Sequence, residues 1–448
     1  MQDERDFEEA VAYVHGLGEL GWKLGLERFT ALCERLGSPH ERIRAIHIAG
    51  TNGKGSAAAM VASILKSAGY RVGSYYSPYL YDIRERVQLN GSMIGKSDFA
   101  RLVNVIRPHA AALAETELGH PTEFEVKTAL GLLYFAEQEV DFAVLEVGLG
   151  GRLDATNIVN PLVSVITNVG LDHMDHLGNT ITEIAAEKAG IIKQNGHLVT
   201  AVSDAEALEV IRRTCEERSS TLWHVHRQDG IFAIAPVTGG DDPLFPLRER
   251  VGVRGLRTLT VQGVNATYPD LQLRMQGDFQ HINAATAIGA VEALQNKGVA
   301  VPESAIRSGL EFAYIPGRLE VLREKPTLLI DGAHNLDAAR NLARALKSLF
   351  TYDKLILVMG MVIGHSVEDV VGTLAPLAHR FYATAPDSPR AAPASAIAEA
   401  AGHHCSEVAQ VVPVSEAVRR ALRDAGQNGL VCVTGSFYTI GEVPRSTD

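Results

Sequence analysis

Cysteine is scarce in this sequence, and its few cysteines stand far apart. Four occur in 448 residues, at Cys33, Cys215, Cys405 and Cys432, and no two form a C-x-x-C pair. This spacing indicates neither a disulfide framework nor a structural zinc site. We therefore expect a protein of a reducing compartment, the cytoplasm.

The sequence also lacks an apolar run long enough to span a membrane, and its N-terminus is acidic where a signal peptide would be basic and then apolar. It has no internal repeat and no low-complexity tract. Basic residues number 42 against 53 acidic ones, which gives a net charge of −11. This balance argues against general binding to nucleic acid or to acidic membranes. Any anionic ligand must therefore be bound by a local cluster of cations.

What the sequence does have is a glycine-rich turn directly after an apolar run. Residues 44–49 predict a buried strand, and Gly50-Thr-Asn-Gly-Lys-Gly-Ser56 follows it. The glycines let backbone N–H groups point at phosphates, Lys54 can reach the β and γ oxygens, and Ser56 can meet Mg²⁺. The alanine-rich run 57–68 predicts a helix whose N-terminus favours anions. Because Gly55 separates the lysine from the serine, this is a variant P-loop, and it predicts a nucleotide triphosphate site.

Length and periodicity predict two α/β domains. A chain of 448 residues exceeds the size at which one core keeps growing. Short Val/Ile-rich runs alternate with helical stretches, as in a parallel sheet. The first domain is predicted to have strands at 72–76, 142–147, 162–167 and 197–202 and helices at 96–116, 125–138, 180–192 and 281–297. Residues 221–275 read as antiparallel hairpins, which we interpret as an accessory sheet at the edge of this domain.

The second domain is predicted to begin at a hinge, Ile315-Pro-Gly-Arg318. We therefore divide the chain into a P-loop ATP-binding domain, residues 1–314, and a smaller Rossmann-like α/β domain, residues 315–448. Strands of the smaller domain are predicted at 327–330, 355–359, 380–384, 408–412 and 430–433, and a helix at 391–401.

Polar residues follow several of these strands at the point where each strand ends. In open α/β sheets ligands bind at the carboxyl ends of the strands, so the residues at these exits should converge on one site. The exits are Ser77-Pro78, the run from Glu146 to Asp154, the run from Asn168 to His173, and Asp331-Gly-Ala-His334-Asn335.

Each of these residues also has a purely structural interpretation. Glu146 could form an ion pair with Arg152, and His173 could cap a helix. The run Asp172-His173-Met-Asp175-His176 resembles a metal box such as a zinc hydrolase uses, but Mg²⁺ prefers oxygen ligands. For its last two residues we favour a structural role. Lys188, taken alone, reads as a solvated helix charge.

Seven motifs, taken in order, resemble the folylpolyglutamate synthase/dihydrofolate synthase family of Mur-type ATP-dependent amide ligases. The likeness runs from about residue 25 to residue 441. The motifs are Ala49-Gly-Thr-Asn-Gly-Lys-Gly-Ser56, Glu146-Val-Gly-Leu-Gly-Gly-Arg-Leu-Asp-Ala-Thr-Asn157, Leu171-Asp-His173, Glu187-Lys-Ala-Gly-Ile-Ile-Lys193, Pro316-Gly-Arg318, Asp331-Gly-Ala-His-Asn335 and Thr434-Gly-Ser436.

The resemblance implies ligation of L-glutamate to the carboxylate of a dihydropteroate or tetrahydrofolate through an acyl phosphate, with ATP and Mg²⁺ at two sites. The resemblance places ATP at Thr51, Asn52, Gly53, Lys54, Gly55, Ser56, Asn283, Arg318, Asp331 and His334. It places Mg²⁺ at Ser77, Glu146, His173 and a carbamylated Lys188. It places the pterin and aminobenzoate rings near Leu24, Gly25, Thr122, Phe124, Leu153, Asp154 and Ala155. Lys54, Lys188 and His173 would be the catalytic residues.

Two positions depart from the family pattern. Glu123 stands where many members carry Tyr or Phe, beside Phe124, which a core role could also explain. Met361-Val-Ile-Gly-His365-Ser-Val-Glu stands where members commonly have Asp-Lys-Asp. Two alternatives stay open, a Mur-type ligase acting on another carboxylate and a nucleotide-gated binding protein. We expect a monomer that uses small-molecule substrates.

Overall fold

The computed structural model describes residues 2–21, 23–228, 231–237 and 258–445, and it contains two sheets. The larger sheet has the strand order β11-β10-β9-β8-β7-β6-β1-β5-β2-β3-β4. Its strands are β1 (Ala45–Ala49), β2 (Val72–Tyr75), β3 (Val87–Leu89), β4 (Ser92–Met93), β5 (Phe142–Glu146), β6 (Val163–Ile166), β7 (His197–Thr200), β8 (Thr221–Gln228), β9 (Ile231–Val237), β10 (Thr258–Gln262) and β11 (Thr267–Gln272).

Helices cover both faces of this sheet. They are α1 (Gln2–Gly16), α2 (Glu27–Arg35), α3 (Lys54–Ser67), α4 (Lys96–Ala114), α5 (Glu123–Glu137), α6 (Met174–Leu177), α7 (Ile181–Ala189), α8 (Ala205–Glu217), α9 (Phe279–Gln295) and α10 (Glu303–Phe312). The alternation of side chains along β1 separates two cores, since Ile46 and Ile48 pack with α3, α9 and α10 while Ala45 packs with α1, α2, α4 and α5.

The five strands at the centre of the larger sheet, β2, β5, β1, β6 and β7, pair in parallel, as the alternating pattern predicts. Their carboxyl ends therefore lie at one edge. β1 delivers the P-loop there, β5 delivers Glu146 and β6 delivers Asn168 to His173.

The predicted hairpin strands form and continue the same sheet at its edge. β8 and β9 are antiparallel, as are β10 and β11, whereas β9 and β10 are parallel. Residues 229–230 and 238–257 of the predicted hairpin region lie outside the described residues.

The smaller sheet has the order β12-β13-β17-β14-β15-β16. Its elements are β12 (Glu320–Glu324), β13 (Thr327–Ile330), α11 (Leu336–Ser348), β14 (Leu355–Met359), α12 (Val367–Leu374), β15 (Arg380–Ala383), α13 (Ala394–Gly402), β16 (Val408–Gln410), α14 (Val414–Ala425), β17 (Leu430–Thr434) and α15 (Phe437–Gly441). All pairs are parallel except that of β12 with β13. The sequence does not predict β12, because this edge strand is largely exposed and rich in charge. Among the described residues, no helix is both long enough and apolar enough to cross a bilayer.

Candidate active site between the two sheets

The P-loop joins β1 to α3 in the conformation that its glycines allow. Gly50 has a φ of 149° and Gly53 a φ of 83°, and a Cβ at either would lie under 3.0 Å from a side-chain oxygen of Thr167 or Asn283. Only glycine fits such a backbone without displacing these neighbours. The loop therefore leads directly into the N-terminus of α3, as the sequence predicts.

Asn168, the residue that fixes this loop, lies at a predicted strand exit, although the sequence gives it no specific role. Its Oδ1 accepts hydrogen bonds from the backbone N–H groups of Thr51, at 3.1 Å, and Asn52, at 2.8 Å. The Thr51 hydroxyl donates to the Gly170 carbonyl at 3.1 Å. The loop after β6 thus holds the P-loop in place. The feature of the sequence that points to Asn168 is its position just after an apolar strand.

At the start of α3, Ser56 meets the beginning of α9. Gln280 donates from Nε2 to Ser56 Oγ at 3.2 Å and accepts from Asn283 Nδ2 at 2.9 Å. A Cβ on Gly53 would lie 2.4 Å from Asn283 Oδ1. The structure therefore brings Asn283 against the P-loop, although the two are more than 200 residues apart in sequence.

Glu146 lies at the end of β5 and faces the same loop. It is only 4% exposed, its Oε2 accepts a hydrogen bond from the Ser77 N–H at 3.0 Å, and a Cβ on Gly55 would lie 3.3 Å from it. Arg152 instead pairs with Glu187 at 2.6 Å, so the alternative of a Glu146–Arg152 ion pair is wrong. A cleft lined by Gly55, Ser77, Glu146, Ile315, Arg318 and Phe437 joins these groups to the smaller domain.

Buried charges of both signs determine the electrostatics of the cleft. Burial raises the pKa of Glu146, which Lys54 opposes, and burial lowers the pKa of Lys54, which Glu146 and Asp172 oppose. The Lys54 Nζ donates to the carbonyls of Gly50 and Thr51 at 2.9 and 3.1 Å. These neutral acceptors leave its charge available to an anion in the cleft.

Lys188 is buried rather than solvated, which contradicts the interpretation of the isolated residue as a surface charge. It lies on α7, is 3% exposed, and burial, with Lys54 adding repulsion, lowers its pKa to about 7. A large share of this amine is therefore neutral at pH 7. Neutral amine is the form that can react as a nucleophile.

Asp172 and His173 lie where the two domains meet. Asp172 Oδ2 accepts from Asn335 Nδ2 at 3.1 Å, and Asp172 Oδ1 lies 3.2 Å from Nδ1 of His365. Burial opposes ionisation of Asp172, but the imidazoles of His334 and His365 outweigh it and hold its pKa well below the usual range. Burial lowers the pKa of His173 to about 4, so its ring is neutral at pH 7. His173 precedes α6 with a φ of 49° but makes no side-chain cap hydrogen bond.

The short helix α6 carries the other two residues of the predicted metal box. Asp175 and His176 are exposed on it.

The smaller domain presents its predicted nucleotide residues at the carboxyl end of β13 and in the linker before it. The Arg318 guanidinium lies 4.6 Å from the ring centre of Phe437 and lines the cleft. Asp331 is 5% exposed and accepts from the N–H groups of Leu319 and Ala333, each at 2.9 Å. His334 Nδ1 lies 2.8 Å from the Gly332 carbonyl, and its Nε2 lies 3.7 Å from Asp172 Oδ2.

Two of the residues predicted to hold the pterin, Thr122 and Phe124, lie at the N-terminus of α5. Thr122 caps this helix in a capping box with Glu125, and Arg28 donates to Glu125 Oε2 at 2.9 Å, which ties the segment containing Leu24 and Gly25 to the same place. A Cβ on Gly148 would lie 2.5 Å from the Phe124 ring.

Asp154 completes this group from the loop after β5, where Leu153 is half-buried and Ala155 is buried. The Asp154 carboxylate accepts from the N–H groups of Leu149 and Thr156, each at 2.9 Å, and from the Thr156 hydroxyl at 2.5 Å. That hydroxyl in turn lies 2.8 Å from His47 Nε2. The sequence does not predict a role for His47 either, because a histidine inside an apolar strand gives no signal of its own.

Comparison with known proteins places this geometry in a family. The model of the Mur ligase middle domain matches residues 48–291, and that of the Mur ligase glutamate ligase domain matches residues 317–437. A dihydrofolate synthase/folylpolyglutamate synthase of Bacillus subtilis is 39% identical over 441 residues, which cover 98% of each chain. The chain belongs to the dihydrofolate synthase/folylpolyglutamate synthase family of Mur ligases.

Two solved structures of this family have the same fold. A Mycobacterium tuberculosis folylpolyglutamate synthase complexed with ADP aligns with a TM-score of 0.84 and 31% identity, over 97% of each chain. A bifunctional folylpolyglutamate synthase/dihydrofolate synthase of Yersinia pestis, complexed with AMPPNP and a Mn ion, aligns with a TM-score of 0.80 and 29% identity, over 97% of this chain and 96% of that one. The predicted family, α/β fold and class of ATP-dependent amide-forming ligase are thereby confirmed.

Proposed function

We propose that this protein joins L-glutamate to the carboxylate of dihydropteroate, giving dihydrofolate, and also extends tetrahydrofolate with further glutamates. The observation that carries this proposal is that Glu146 and Arg318 line one cleft and that Lys54 interacts electrostatically with both. Lys188 interacts with Lys54 in turn, so four different segments of the chain supply this group of charges. A nucleotide-gated binding protein needs the P-loop but has no use for a buried lysine of lowered pKa beside it.

In the proposed reaction the acceptor carboxylate oxygen attacks the γ-phosphorus, the bond from that phosphorus to the β–γ bridging oxygen breaks, and ADP leaves. The glutamate nitrogen then attacks the carbonyl carbon of the acyl phosphate, loses a proton, and inorganic phosphate departs. Two anions must approach each other in the first step. Lys54 stabilises the charge that accumulates on the phosphates, and Arg318 approaches them from the smaller domain.

The chain's own donors fit Mg²⁺. The ion would be held by Ser77 and Glu146, hard oxygen donors at the cleft, and by the neutral ring of His173. Glu146 is a buried carboxylate whose pKa is raised by burial, and a cation beside it would stabilise its charged form. When bound, Mg²⁺ supplies charge neutralisation on the phosphates.

Carbamylation of Lys188 is the second part of the proposal about metal binding. Addition of CO₂ to the neutral amine releases one proton and turns a cationic side chain into an anionic one, so that this position could face a second cation. The pKa of about 7 supports it, because the amine would be largely protonated, and unreactive, at its ordinary value.

The remaining site assignments follow from the same arrangement. Thr51, Asn52, Gly53, Gly55, Ser56 and Asn283 would hold the nucleotide from the larger domain, and Asp331 and His334 from the smaller one. The flat rings of the acceptor would lie among Leu24, Gly25, Thr122, Phe124, Leu153, Asp154 and Ala155.

We also propose residues 1–314 and 315–448 as the two domains, with the linker around Gly317 as a hinge in a monomer. X-ray scattering with and without AMPPNP tests both closure and monomeric mass.

The decisive experiment measures phosphate release with ATP, Mg²⁺ and glutamate, with dihydropteroate or tetrahydrofolate as the acceptor, together with the product mass. We expect one ADP for each new amide and a mass gain of one glutamyl unit. No stimulation by either acceptor would reject the folate assignment and leave a Mur-type ligase for another carboxylate. ADP formation without a new amide would favour the nucleotide-gated binding protein.

A further inference from the structure

Three imidazoles and one carboxylate meet at the interface between the two domains. Asp172 and His173 follow β6 of the larger sheet, whereas His334 follows β13 and His365 follows β14 of the smaller one. The ring centre of His365 lies 5.3 Å from that of His173 and 4.9 Å from that of His334. Its side chain is 6% exposed, as is that of Asp172. The cluster is therefore a largely buried group of ligating side chains contributed by both domains.

The spacing within this cluster is that of a transition-metal site. Ligand atoms of Asp172, His173 and His365 all lie within 4.8 Å of one another. Around a tetrahedral Zn²⁺ with bonds of about 2.0–2.1 Å, ligand atoms stand roughly 3.3–3.4 Å apart. Asp172 Oδ1 and His365 Nδ1 are already 3.2 Å apart. An ion could enter with small side-chain movements, since a neutral imidazole can keep its proton on Nε2 and present Nδ1.

The donor set selects the kind of ion. Mg²⁺ prefers oxygen ligands, whereas two imidazoles with one carboxylate are typical of Zn²⁺ and of its spectroscopic substitute Co²⁺. His365, which follows β14, supplies the nitrogen donor of the smaller domain.

We propose that Asp172, His173 and His365 bind a divalent transition metal of the Zn²⁺ type, which bridges the two domains. The proposal does not depend on which acceptor the ligase uses. Because Asp172 and His173 belong to the larger domain and His365 to the smaller one, the bound ion ties the domains together. It also occupies His173, which we assign to Mg²⁺ during turnover. Zn²⁺ would therefore inhibit the enzyme by holding the cleft in one arrangement.

The test is a Co²⁺ titration of the metal-free full-length protein, followed by visible absorption. Tetrahedral or five-coordinate Co²⁺ absorbs far more strongly than hydrated Co²⁺, so the readout needs no turnover. We expect a saturable absorption that stoichiometric Zn²⁺ abolishes. His365→Asn should weaken Co²⁺ binding about tenfold or more. His403→Asn, in the smaller domain with a side chain 65% exposed, is the matched control and should leave it unchanged.

A second variant keeps the test decisive if His365→Asn folds poorly. His365→Cys retains a metal ligand and should add a sulfur-to-Co²⁺ charge-transfer band, which places residue 365 in the coordination sphere directly. Absence of a saturable Co²⁺ spectrum in the wild type overturns the proposal. So does a spectrum of the same strength in His365→Asn, or a His365→Cys spectrum without the new band. Any of these results can occur while ligase activity is intact, so failure here is distinct from failure of the proposed function.

Discussion

His47 should make the larger domain sensitive to acid, and the effect can be calculated from its burial. Its side chain lies in the middle of β1 at 0% exposure, with Nε2 2.8 Å from Thr156 Oγ1 and no hydrogen-bond partner for Nδ1 within the described structure. Burial, with a smaller contribution from Lys193, lowers the pKa of His47 from 6.5 to about 3. The folded protein therefore keeps this ring neutral under conditions in which the unfolded chain protonates it.

The direction in which stability changes with pH follows from which state binds the proton first. Above about pH 6.5, His47 is neutral in both the folded and the unfolded state, so it does not affect how stability depends on pH. Below about pH 6.5, His47 binds a proton in the unfolded state but not yet in the folded state. The free energy of unfolding therefore falls as the pH falls toward 3. At pH 4.5, two units below the unfolded pKa, the loss is about 2.7 kcal/mol. His47→Gln removes the titrating group but keeps a polar side chain that can bond to Thr156. The variant should therefore lose about 2.7 kcal/mol less than the wild type between pH 7 and pH 4.5.

Urea unfolding at several pH values, followed by tryptophan fluorescence, measures this difference. Both tryptophans, Trp22 and Trp223, precede the proposed domain boundary, so the signal reports on the larger domain. Other titrating groups cancel in the comparison of variant with wild type. His403→Gln, exposed in the smaller domain, should follow the wild-type curve. Parallel stability curves for wild type and His47→Gln would refute the argument.

Three further predictions concern the cleft and the ring-binding region. Lys54→Ala should lower turnover by at least 10²–10³-fold, the cost of removing one transition-state donor, and should leave the circular dichroism spectrum unchanged. The control Lys66→Ala, at an exposed position on the same helix, should keep full turnover. An unfolded Lys54→Ala protein would mean that Lys54 is needed for the fold rather than for catalysis. Removal of bicarbonate should lower wild-type turnover reversibly but have no effect on Lys188→Ala; equal turnover with and without bicarbonate would exclude a carbamate. Glu123→Ala should destabilise the protein by about 1–3 kcal/mol in urea unfolding, because Lys127, at 7% side-chain exposure, loses its partner at 2.7 Å. Lys127→Met in the same chain should recover most of that loss. If it does not, the ion pair is not the cause.

The sequence predicts the parts of this site that follow from strand order and local turn chemistry. β1, β5 and β6 end at one edge because they are parallel, so Lys54, Glu146 and His173 come together as expected. What it could not predict are contacts between segments that no local pattern links. His365 meets Asp172 across 193 positions of sequence and across the domain interface. The burial of Lys188 is likewise a tertiary effect, since α7 alone gives no indication of which face is covered.

One loop couples the two domains to the proposed metal site. The segment after β2 places the Ser77 N–H 3.0 Å from Glu146 Oε2, and three residues later Leu80, at 8% exposure, packs in the core of the smaller domain with Ile440. A Cβ on Gly441 would lie 2.5 Å from the Leu80 carbonyl oxygen, so the backbones are also in close approach. If the smaller domain moves away, either Leu80 loses its apolar contacts or Ser77 is drawn from Glu146. Burial of a leucine side chain contributes about 1.5–3 kcal/mol, and a hydrogen bond to a charged acceptor such as the Glu146 carboxylate contributes about as much. The two contacts are of similar strength, and separating the domains breaks one of them. Both therefore favour the closed arrangement, in which the oxygen ligands proposed for Mg²⁺ are assembled.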